Sequence, residues 1–302
     1  MWFKQHTKTM ALGLALWLWG SCAFGFDSKA AMADIQTQME MGPRYLTSAG
    51  HLKIQAWLSQ RIKGPNILAQ VDQFEYLDAH HQRYQVKNMM FRFFPGRTKR
   101  LILGAHYDTR RYADKDPDDP LAPMPGANDG ASGVAVLTAL SDVLPKLLES
   151  KEFGVDLVFF DAEEGELDPE ARPWRPIGSI HFASQLKQLY PQKAPELVVV
   201  VDMVCDKDLQ LKLEQHSMRS GAASKAWQLW KIGANHSSGF ISEMGYSVYD
   251  DHYPLIQKGI PSVLLIDFDY PAWHTQRDQI DQCAASSLQA VGQTLEDFLT
   301  QY

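Results

Sequence analysis

The sequence predicts a single α/β domain built on a mostly parallel sheet with helices covering both faces. Short apolar strands alternate with helical segments along most of the chain, which is typical of parallel strands connected by helices. The strongest strands are apolar throughout, as in the four valines at residues 198–201, and such strands are usually buried on both faces. No internal repeat or long low-complexity linker divides the chain.

The first part of the chain predicts a helical region followed by two strands. Residues 27–63 are predicted to be helical because Leu52, Ile54, Trp57 and Ile62 recur at roughly helical spacing. Residues 69–76 and 83–94 predict strands, and the second contains the β-rich run at 89–93. Because no helix separates these two strands, we expect an antiparallel pair at the edge of the sheet.

The rest of the chain alternates strands with helices. Four short apolar runs predict strands, at residues 101–105, 155–161, 197–203 and 262–266. Four longer segments predict helices, at residues 132–148, 177–189, 222–232 and 284–299. The long irregular stretch at 110–126 is rich in Pro and Asp, and such loops inside compact domains are usually functional or mobile.

The N-terminus predicts export. Lys4 and Lys8 precede a short apolar core, and small residues at Ala23 and Gly25 complete the pattern of a secretory signal peptide. We therefore expect residues 1–25 to be removed, leaving residues 26–302 as one domain in a secreted or periplasmic protein. The apolar core is short for a membrane span, so no transmembrane span is expected in the mature form.

Cys22 leaves lipid modification as an alternative N-terminal fate. The run at 20–22 resembles a lipoprotein signal, but Trp19 is a poor residue for the position it would occupy there. We therefore predict cleavage of the signal peptide without lipidation of Cys22.

Net charge and cysteine content limit the kinds of partner and covalent link that we expect. The net charge is −7 and the main basic cluster is Arg97, Lys99 and Arg100, so we expect no nucleic-acid partner. A monomer is the default expectation. The only cysteines after residue 22 are Cys205 and Cys283, and the sequence leaves open whether they pair.

Polar side chains of metal-binding type follow the strong strands. The apolar run at 158–160 leads into Glu163 and Glu164, two adjacent acids at a strand end. The other strands and the start of one helix contribute His106, Asp108, Asp129, Asp202 and His274. Because parallel strands end at the same edge of a sheet, we expect these groups to converge. Carboxylates and imidazoles together suit zinc.

This ordered set resembles the zinc aminopeptidase family and its relatives, the glutaminyl cyclases, over about residues 88–277. The resemblance implies a single α/β domain with a mixed, twisted central sheet that forms a zinc-dependent catalytic domain. In the aminopeptidases, two zinc ions share a carboxylate and a water attacks a peptide bond. In the cyclases, one zinc polarises the side-chain amide of an N-terminal glutamine and the α-amine of the substrate attacks it.

Several residues favour the cyclase branch. The run Trp273-His274-Thr275 resembles the cyclase signature whose indole lines the glutamine pocket, and Tyr270 precedes it as an aromatic residue does in the cyclases. The run Asp250-Asp251-His252-Tyr253-Pro254 also resembles a cyclase element. By contrast, residues 128–133 look more like the aminopeptidase form, and the acidic, Pro-rich insert at 166–176 departs from the family. Trp174 in that insert is a candidate replacement for a pocket tryptophan.

The resemblance implies a role for each residue. Asp129, Glu164 and His274 would bind zinc, and Glu163 would be the general base and acid. Asp202 and Asp250 would form a hydrogen-bond network around Glu163 and the substrate amine. Trp273 and Tyr270 would line the substrate pocket. His106 would either bind a second zinc, oriented by Asp108, or stay beside the site without binding metal.

The expected function is a glutaminyl-peptide cyclotransferase that holds one zinc ion and acts on peptides or proteins with N-terminal glutamine. A second zinc is left open. The alternative is a secreted di-zinc aminopeptidase that releases N-terminal amino acids. A third hypothesis, a non-catalytic binding protein on the same scaffold, is disfavoured by the intact acid pair and His274.

Overall fold

The computed structural model describes residues 25–165 and 174–302. Residues 1–24 of the predicted signal peptide, which include Cys22, lie outside these ranges. Residues 166–173 of the insert also lie outside them. Signal cleavage and lipidation therefore stay predictions.

A six-stranded mixed sheet forms the centre of a single α/β domain. Its strands and two further short ones are β1 Ile67–Leu77, β2 Arg83–Phe93, β3 Lys99–His106, β4 Phe153–Phe160, β5 Leu197–Asp202, β6 Leu211–Leu213, β7 Phe240–Met244 and β8 Ser262–Ile266. The order across the sheet is β1-β2-β4-β3-β5-β8. Strands β4, β3, β5 and β8 are parallel, whereas β1 and β2 are antiparallel to their neighbours. The predicted fold class and antiparallel edge are confirmed.

Helices cover both faces of the sheet. They are α1 Ser28–Glu40, α2 Ala49–Arg61, α3 Ala131–Leu148, α4 Ile177–Ser184, α5 Leu186–Leu189, α6 Gln215–Arg219, α7 Ala223–Gly233, α8 His252–Gln257 and α9 Ala285–Gln301. Leu101 and Leu103 pack with α1, α2, α3, α7 and α9 in one apolar cluster, while Ile102 packs with α4, α5 and α8 in another. This alternation buries both faces, because successive strand residues point in opposite directions.

Within the described part of the chain, α3 is the one helix long and apolar enough to cross a bilayer. Most of it is buried inside the protein, as expected of a core helix.

Two segments that were each predicted as continuously helical are divided in the structure. The region at 27–63 divides into α1 and α2, because Gly42 adopts a positive φ of 82° and Pro43 follows it. Ser48 then caps α2 by accepting a hydrogen bond from the His51 N–H. The region at 177–189 likewise divides into α4 and α5.

Cys205 and Cys283 form a disulfide across 78 residues of sequence. It ties the segment after β5 to the residues that precede α9. The sequence left this pairing open.

Candidate active site at the carboxyl edge of the sheet

A cavity of about 410 Å³ lies at the carboxyl ends of the parallel strands. Its walls combine acidic and aromatic side chains, including Glu163, Glu164, Asp202 and Trp273. This is the edge at which open α/β sheets bind ligands. The expected convergence of residues far apart in sequence is therefore observed.

The three predicted zinc ligands face one another in the wall of this cavity. The Nε2 atom of His274 lies 3.6 Å from Asp129 Oδ2 and 3.7 Å from Glu164 Oε2. All three side chains are buried, and one ligand atom from each lies within 4.8 Å of the others. The Oε1 atom of Glu164 is buried with no hydrogen-bond partner in the described structure. A buried carboxylate oxygen without a hydrogen-bond partner, beside two other potential ligands, indicates a site for a cation.

Backbone geometry brings two of these ligands into position. Asp129 precedes Gly130, whose φ of 95° and close approach to the Asp108 carbonyl (2.6 Å from a notional Cβ) leave no room for a side chain. His274 itself has a positive φ of 58°, a conformation that is uncommon outside glycine and frequent at functional sites.

His106 joins Asp129 to Asp202. Its Nε2 atom lies 3.0 Å from Asp202 Oδ1 and 3.3 Å from Asp129 Oδ1. Burial lowers the pKa of this imidazole, but the surrounding carboxylates of Asp202, Asp108 and Asp129 outweigh burial and raise it well above its usual value. The three side chains also form a group that could hold a metal ion.

Asp108 orients the acid pair as well as the histidine. Its backbone carbonyl lies 3.2 Å from His106 Nδ1, closer than its carboxylate at 3.7 Å. The carboxylate oxygens instead accept hydrogen bonds from the backbone N–H groups of Glu163 (3.2 Å) and Glu164 (3.3 Å). Sequence reasoning assigned Asp108 only to His106.

Glu163 is held in a buried, anionic environment. Burial raises the pKa of its carboxyl well above the usual range, and Asp250, Glu164 and Asp251 raise it further, while His106 opposes them. Burial, Asp202 and Asp251 also raise the pKa of Asp250. The indole N–H of Trp174 lies 2.9 Å from Glu163 Oε1 and 3.0 Å from the Glu163 carbonyl. Trp174, which the sequence left unaligned, thus donates directly to the predicted general base.

The buried carboxyl groups outnumber the buried cations in this region. The acids are Asp108, Asp129, Glu163, Glu164, Asp202, Asp250, Asp251 and Asp278. Arg44 is buried nearby, where desolvation lowers its pKa to about 10 against the opposing charges of Asp278 and Asp108. A divalent cation would offset the remaining negative charge, because buried charges need opposite charges. The residues therefore fit a zinc ion.

Asp278 and Asp114 contact the predicted metal ligands, and sequence reasoning missed both. Asp278 accepts hydrogen bonds from the backbone N–H groups of Asn128 (2.8 Å) and Asp129 (3.1 Å). Asp114 Oδ1 lies 3.0 Å from His274 Nδ1, within ion-pair distance but without hydrogen-bond geometry; a carboxylate beside a ligating imidazole helps to orient its ring. Asp114 belongs to the long loop at 110–126, whose length was the one signal available in the sequence.

The same loop contributes two cations to the cavity wall, Arg110 and Lys115. Arg110 pairs with Asp114 through two hydrogen bonds of 2.8 and 3.0 Å and donates to the Glu164 carbonyl at 2.9 Å. Its guanidinium also lies 5.0 Å from the centroid of the Trp174 ring. The Lys115 ammonium lies 3.1 Å from the centroid of the Trp273 ring.

Aromatic rings form the remaining wall. Trp273 packs against His274, with 4.3 Å between the ring centroids, and against Phe268 at 4.8 Å. Tyr270 is placed elsewhere: it is buried, and its hydroxyl donates to Asp278 Oδ1 at 2.8 Å. Phe268, rather than Tyr270, lines the cavity. Tyr270 thus contacts Asp278, which supports Asp129, and it does not line the cavity.

Glu214 is a further residue that the sequence did not single out. Its buried carboxylate accepts a hydrogen bond from the Val248 N–H at 3.1 Å and lies 3.1 Å from His252 Nε2. These contacts hold both sides of Asp250. No motif flanks Glu214, so no sequence signal could have found it.

Comparison with known proteins gives a consistent result. The model for peptidase family M28 matches residues 88–299. Among curated proteins, a bovine (Bos taurus) glutaminyl-peptide cyclotransferase is 24% identical over 86% of this chain and 78% of its own length. A bovine glutaminyl-peptide cyclotransferase-like protein is 24% identical over 71% of this chain, and the match spans only 60% of that relative.

Two solved structures are similar over nearly the whole domain. A glutaminyl cyclase from Bacteroides thetaiotaomicron, solved with bound N-acetylhistamine, is 26% identical with a TM-score of 0.83, covering 92% of this chain and 99% of that one. A protein solved as a leucine aminopeptidase precursor from the same organism is 25% identical with a TM-score of 0.84, covering 92% and 98%.

Proposed function

Since this chain belongs to peptidase family M28, we propose that it is a zinc-dependent glutaminyl-peptide cyclotransferase. It would convert the N-terminal glutamine of peptides or proteins to pyroglutamate and release ammonia. The observation that carries the proposal is the position of Glu163. This buried acid lies beside the group Asp129, Glu164 and His274 and under the aromatic wall that Trp273 and Trp174 provide.

Asp129, Glu164 and His274 would hold one zinc ion. Three protein ligands leave a coordination position open, as catalytic zinc sites require. Bound there, zinc would act as a Lewis acid on the side-chain amide carbonyl of the substrate glutamine. Asp278 and Asp114 would keep the ligands in place through the contacts described above.

Glu163 would move the proton. The substrate α-amine forms a bond to the side-chain carbonyl carbon, the bond from that carbon to the amide nitrogen breaks, and ammonia leaves. Glu163 would take a proton from the attacking amine and deliver it to the departing nitrogen, which a carboxyl with a raised pKa does well near neutral pH. The Trp174 indole N–H would orient the Glu163 oxygen for both transfers.

Asp202 and Asp250 would position the substrate amine, since both line the cavity near Glu163. Trp273, Phe268 and Trp174 would surround the glutamine side chain and exclude water, whose attack would give glutamate instead. Holding the amine and amide together supplies much of the rate, because the reaction is then intramolecular.

A di-zinc aminopeptidase is the second candidate. The observation that favours it is the group His106, Asp129 and Asp202, which could hold a second ion beside the first. The similarity to a protein solved as a leucine aminopeptidase precursor also supports it.

Mass spectrometry of a glutamine-initiated peptide, incubated with zinc-loaded protein, tests the proposal. Loss of about 17 Da, the mass of the ammonia that the intramolecular attack releases, is the expected result. Loss of the whole first residue would instead identify an aminopeptidase. Glu163→Gln should abolish the reaction while zinc content stays near one ion per chain, and the exposed Glu149→Gln is the matched control.

Trp273→Ala separates substrate binding from chemistry. Because Trp273 would contact the glutamine side chain, this variant should raise KM more than it lowers kcat. An unchanged KM would argue against the pocket role.

We also propose that the protein is exported and monomeric. The signal-like N-terminus and the Cys205–Cys283 disulfide support export, because disulfides persist mainly in oxidising compartments. Cell fractionation and N-terminal sequencing test the first point, and light scattering tests the second.

A further inference from the structure

Lys115 is a cation on the cavity wall that feels the charges of Asp114 and Asp129 but pairs directly with no carboxylate of the described residues. Its ammonium makes no hydrogen bond or ion pair with residues 25–165 or 174–302, and it lies 3.1 Å from the centroid of the Trp273 ring. Arg110, the neighbouring cation, is already engaged by Asp114, by the Glu164 carbonyl and by the face of Trp174. The two cations therefore differ in what they can still bind.

The position of Lys115 is fixed by the backbone on both sides. Its N–H donates to the His274 carbonyl at 3.1 Å. The carboxylate of the next residue, Asp116, accepts from the Gln276 N–H at 2.8 Å and from the Asp118 N–H at 3.0 Å. The loop is thus tied to the turn that carries His274, so the lysine is held at a defined place relative to the proposed zinc site.

Lys115 lies on the exposed part of the cavity wall. The residue is exposed, yet it lines the same cavity as the buried Glu163 and Glu164. A substrate whose first residue reached the acids and contacted Trp273 could therefore place its second residue near the ammonium that lies on the Trp273 ring.

We infer that Lys115 binds a carboxylate carried by the second residue of the substrate. This inference rests on the proposed cyclotransferase activity and adds a specificity to it. An ammonium has three N–H donors, so contact with the indole ring leaves donors free for a carboxylate. The carboxylate can belong to an acidic side chain or to the C-terminus of a dipeptide. The same charge disfavours a lysine or arginine at that position.

The test measures kcat/KM by ammonia release for four substrates: Gln-Ala-Ala-amide, Gln-Glu-Ala-amide, Gln-Lys-Ala-amide and the free acid Gln-Ala. The wild-type protein should prefer the glutamate peptide over the alanine peptide by about three- to fivefold, as expected for one partly exposed ion pair. A preference for Gln-Ala as well would assign the site to carboxylates of either origin. Roughly 1 M salt should reduce these ratios by screening the pair.

Lys115→Gln keeps most of the side-chain length and removes the charge, so the ratio of acidic to neutral substrate should fall to about one. Lys115→Arg should keep the ratio above one. Lys231→Gln, at an exposed position on α7, is the charge-matched control and should keep the wild-type ratio. The ratio is informative even if a variant loses overall activity, since a purely structural role for Lys115 would lower all four rates together.

Two outcomes would overturn the inference alone: equal rates on all four substrates, or a wild-type preference that survives in Lys115→Gln. Release of ammonia from none of the four would instead refute the cyclotransferase proposal, and the lysine specificity with it.

Discussion

Glu214→Gln tests whether one buried carboxylate outside the cavity organises the segment that carries Asp250. Glu214 precedes α6 and is 2% exposed. Its Oε1 atom accepts from the N–H groups of His216 (2.8 Å) and Val248 (3.1 Å). Its Oε2 atom accepts from the Ser217 N–H (2.6 Å) and hydroxyl (2.7 Å), and lies 3.1 Å from His252 Nε2. Glutamine keeps the shape but replaces one acceptor oxygen with a donor.

The magnitude follows from the pKa of the Glu214 carboxyl. Burial alone would raise it, but the hydrogen bond and charge of His252 and the N–H groups of His216 and Ser217 outweigh burial and lower the pKa to about 2. A carboxyl titrating near 2 rather than its usual 4.5 contributes on the order of 3 kcal/mol to the free energy of unfolding at neutral pH. Because the pKa is lowered by folding, this stabilisation is present above about pH 4.5 and is lost as the pH falls toward 2.

Urea denaturation at pH 7 and pH 3 measures both the size and the sign of the effect. Glu214→Gln should lower the free energy of unfolding by about 2–3 kcal/mol at pH 7, and the difference from wild type should narrow at pH 3. Glu149→Gln, at an exposed pair with Lys146, should change stability by less than about 0.5 kcal/mol. A loss below about 1 kcal/mol at pH 7, or a difference that does not narrow with acid, would refute the reasoning.

Three further predictions concern the site itself. Trp174→Phe removes the N–H that donates a hydrogen bond to Glu163, so kcat should fall about tenfold or more with zinc content unchanged. Turnover and metal analysis check this prediction, and an unchanged kcat would contradict it. Asp278→Asn weakens the support of Asp129, so zinc affinity should fall about 10–100-fold in competition with a chromophoric chelator; equal affinity would exclude this supporting role. Removing zinc with a chelator should lower Tm and adding zinc should restore it, since a ligand that binds the folded state stabilises that state; a Tm independent of zinc would speak against the site.

Most of the fold could be predicted because the strands are strongly apolar and the helices between them are long. Strand β8 coincides with the predicted run at 262–266. The short elements β6, β7, α6 and α8 were not predicted, because three to six residues carry too little periodicity. The division of the first helical region was also missed, although Gly42 and Pro43 mark it.

The site could be predicted where its residues follow strands or belong to a motif. Asp129, Glu164 and His274 are of this kind, and the structure brings them together. Arg44 and Asp278 could not be found, since each stands alone in sequence and acts only through tertiary contacts. Tyr270 shows the reverse error: its place before Trp273 suggested a pocket residue, whereas its hydroxyl is committed to Asp278.

Either a proton on His106 or a second zinc ion can offset the charge of Asp129 and Asp202. This choice links the number of zinc ions to the reaction. A protonated His106 between Asp129 and Asp202 offsets the same two carboxylates that a second zinc ion would bind. With one zinc and a protonated His106, Asp202 would keep an oxygen for the substrate amine in the proposed cyclisation. If a second zinc ion bound, His106, Asp129 and Asp202 would hold it, and the metal would supply the Lewis-acid chemistry of peptide hydrolysis. Zinc stoichiometry, measured on the same sample as the reaction product, should therefore pair one ion with loss of ammonia. Two ions in a preparation that releases only ammonia would contradict this link.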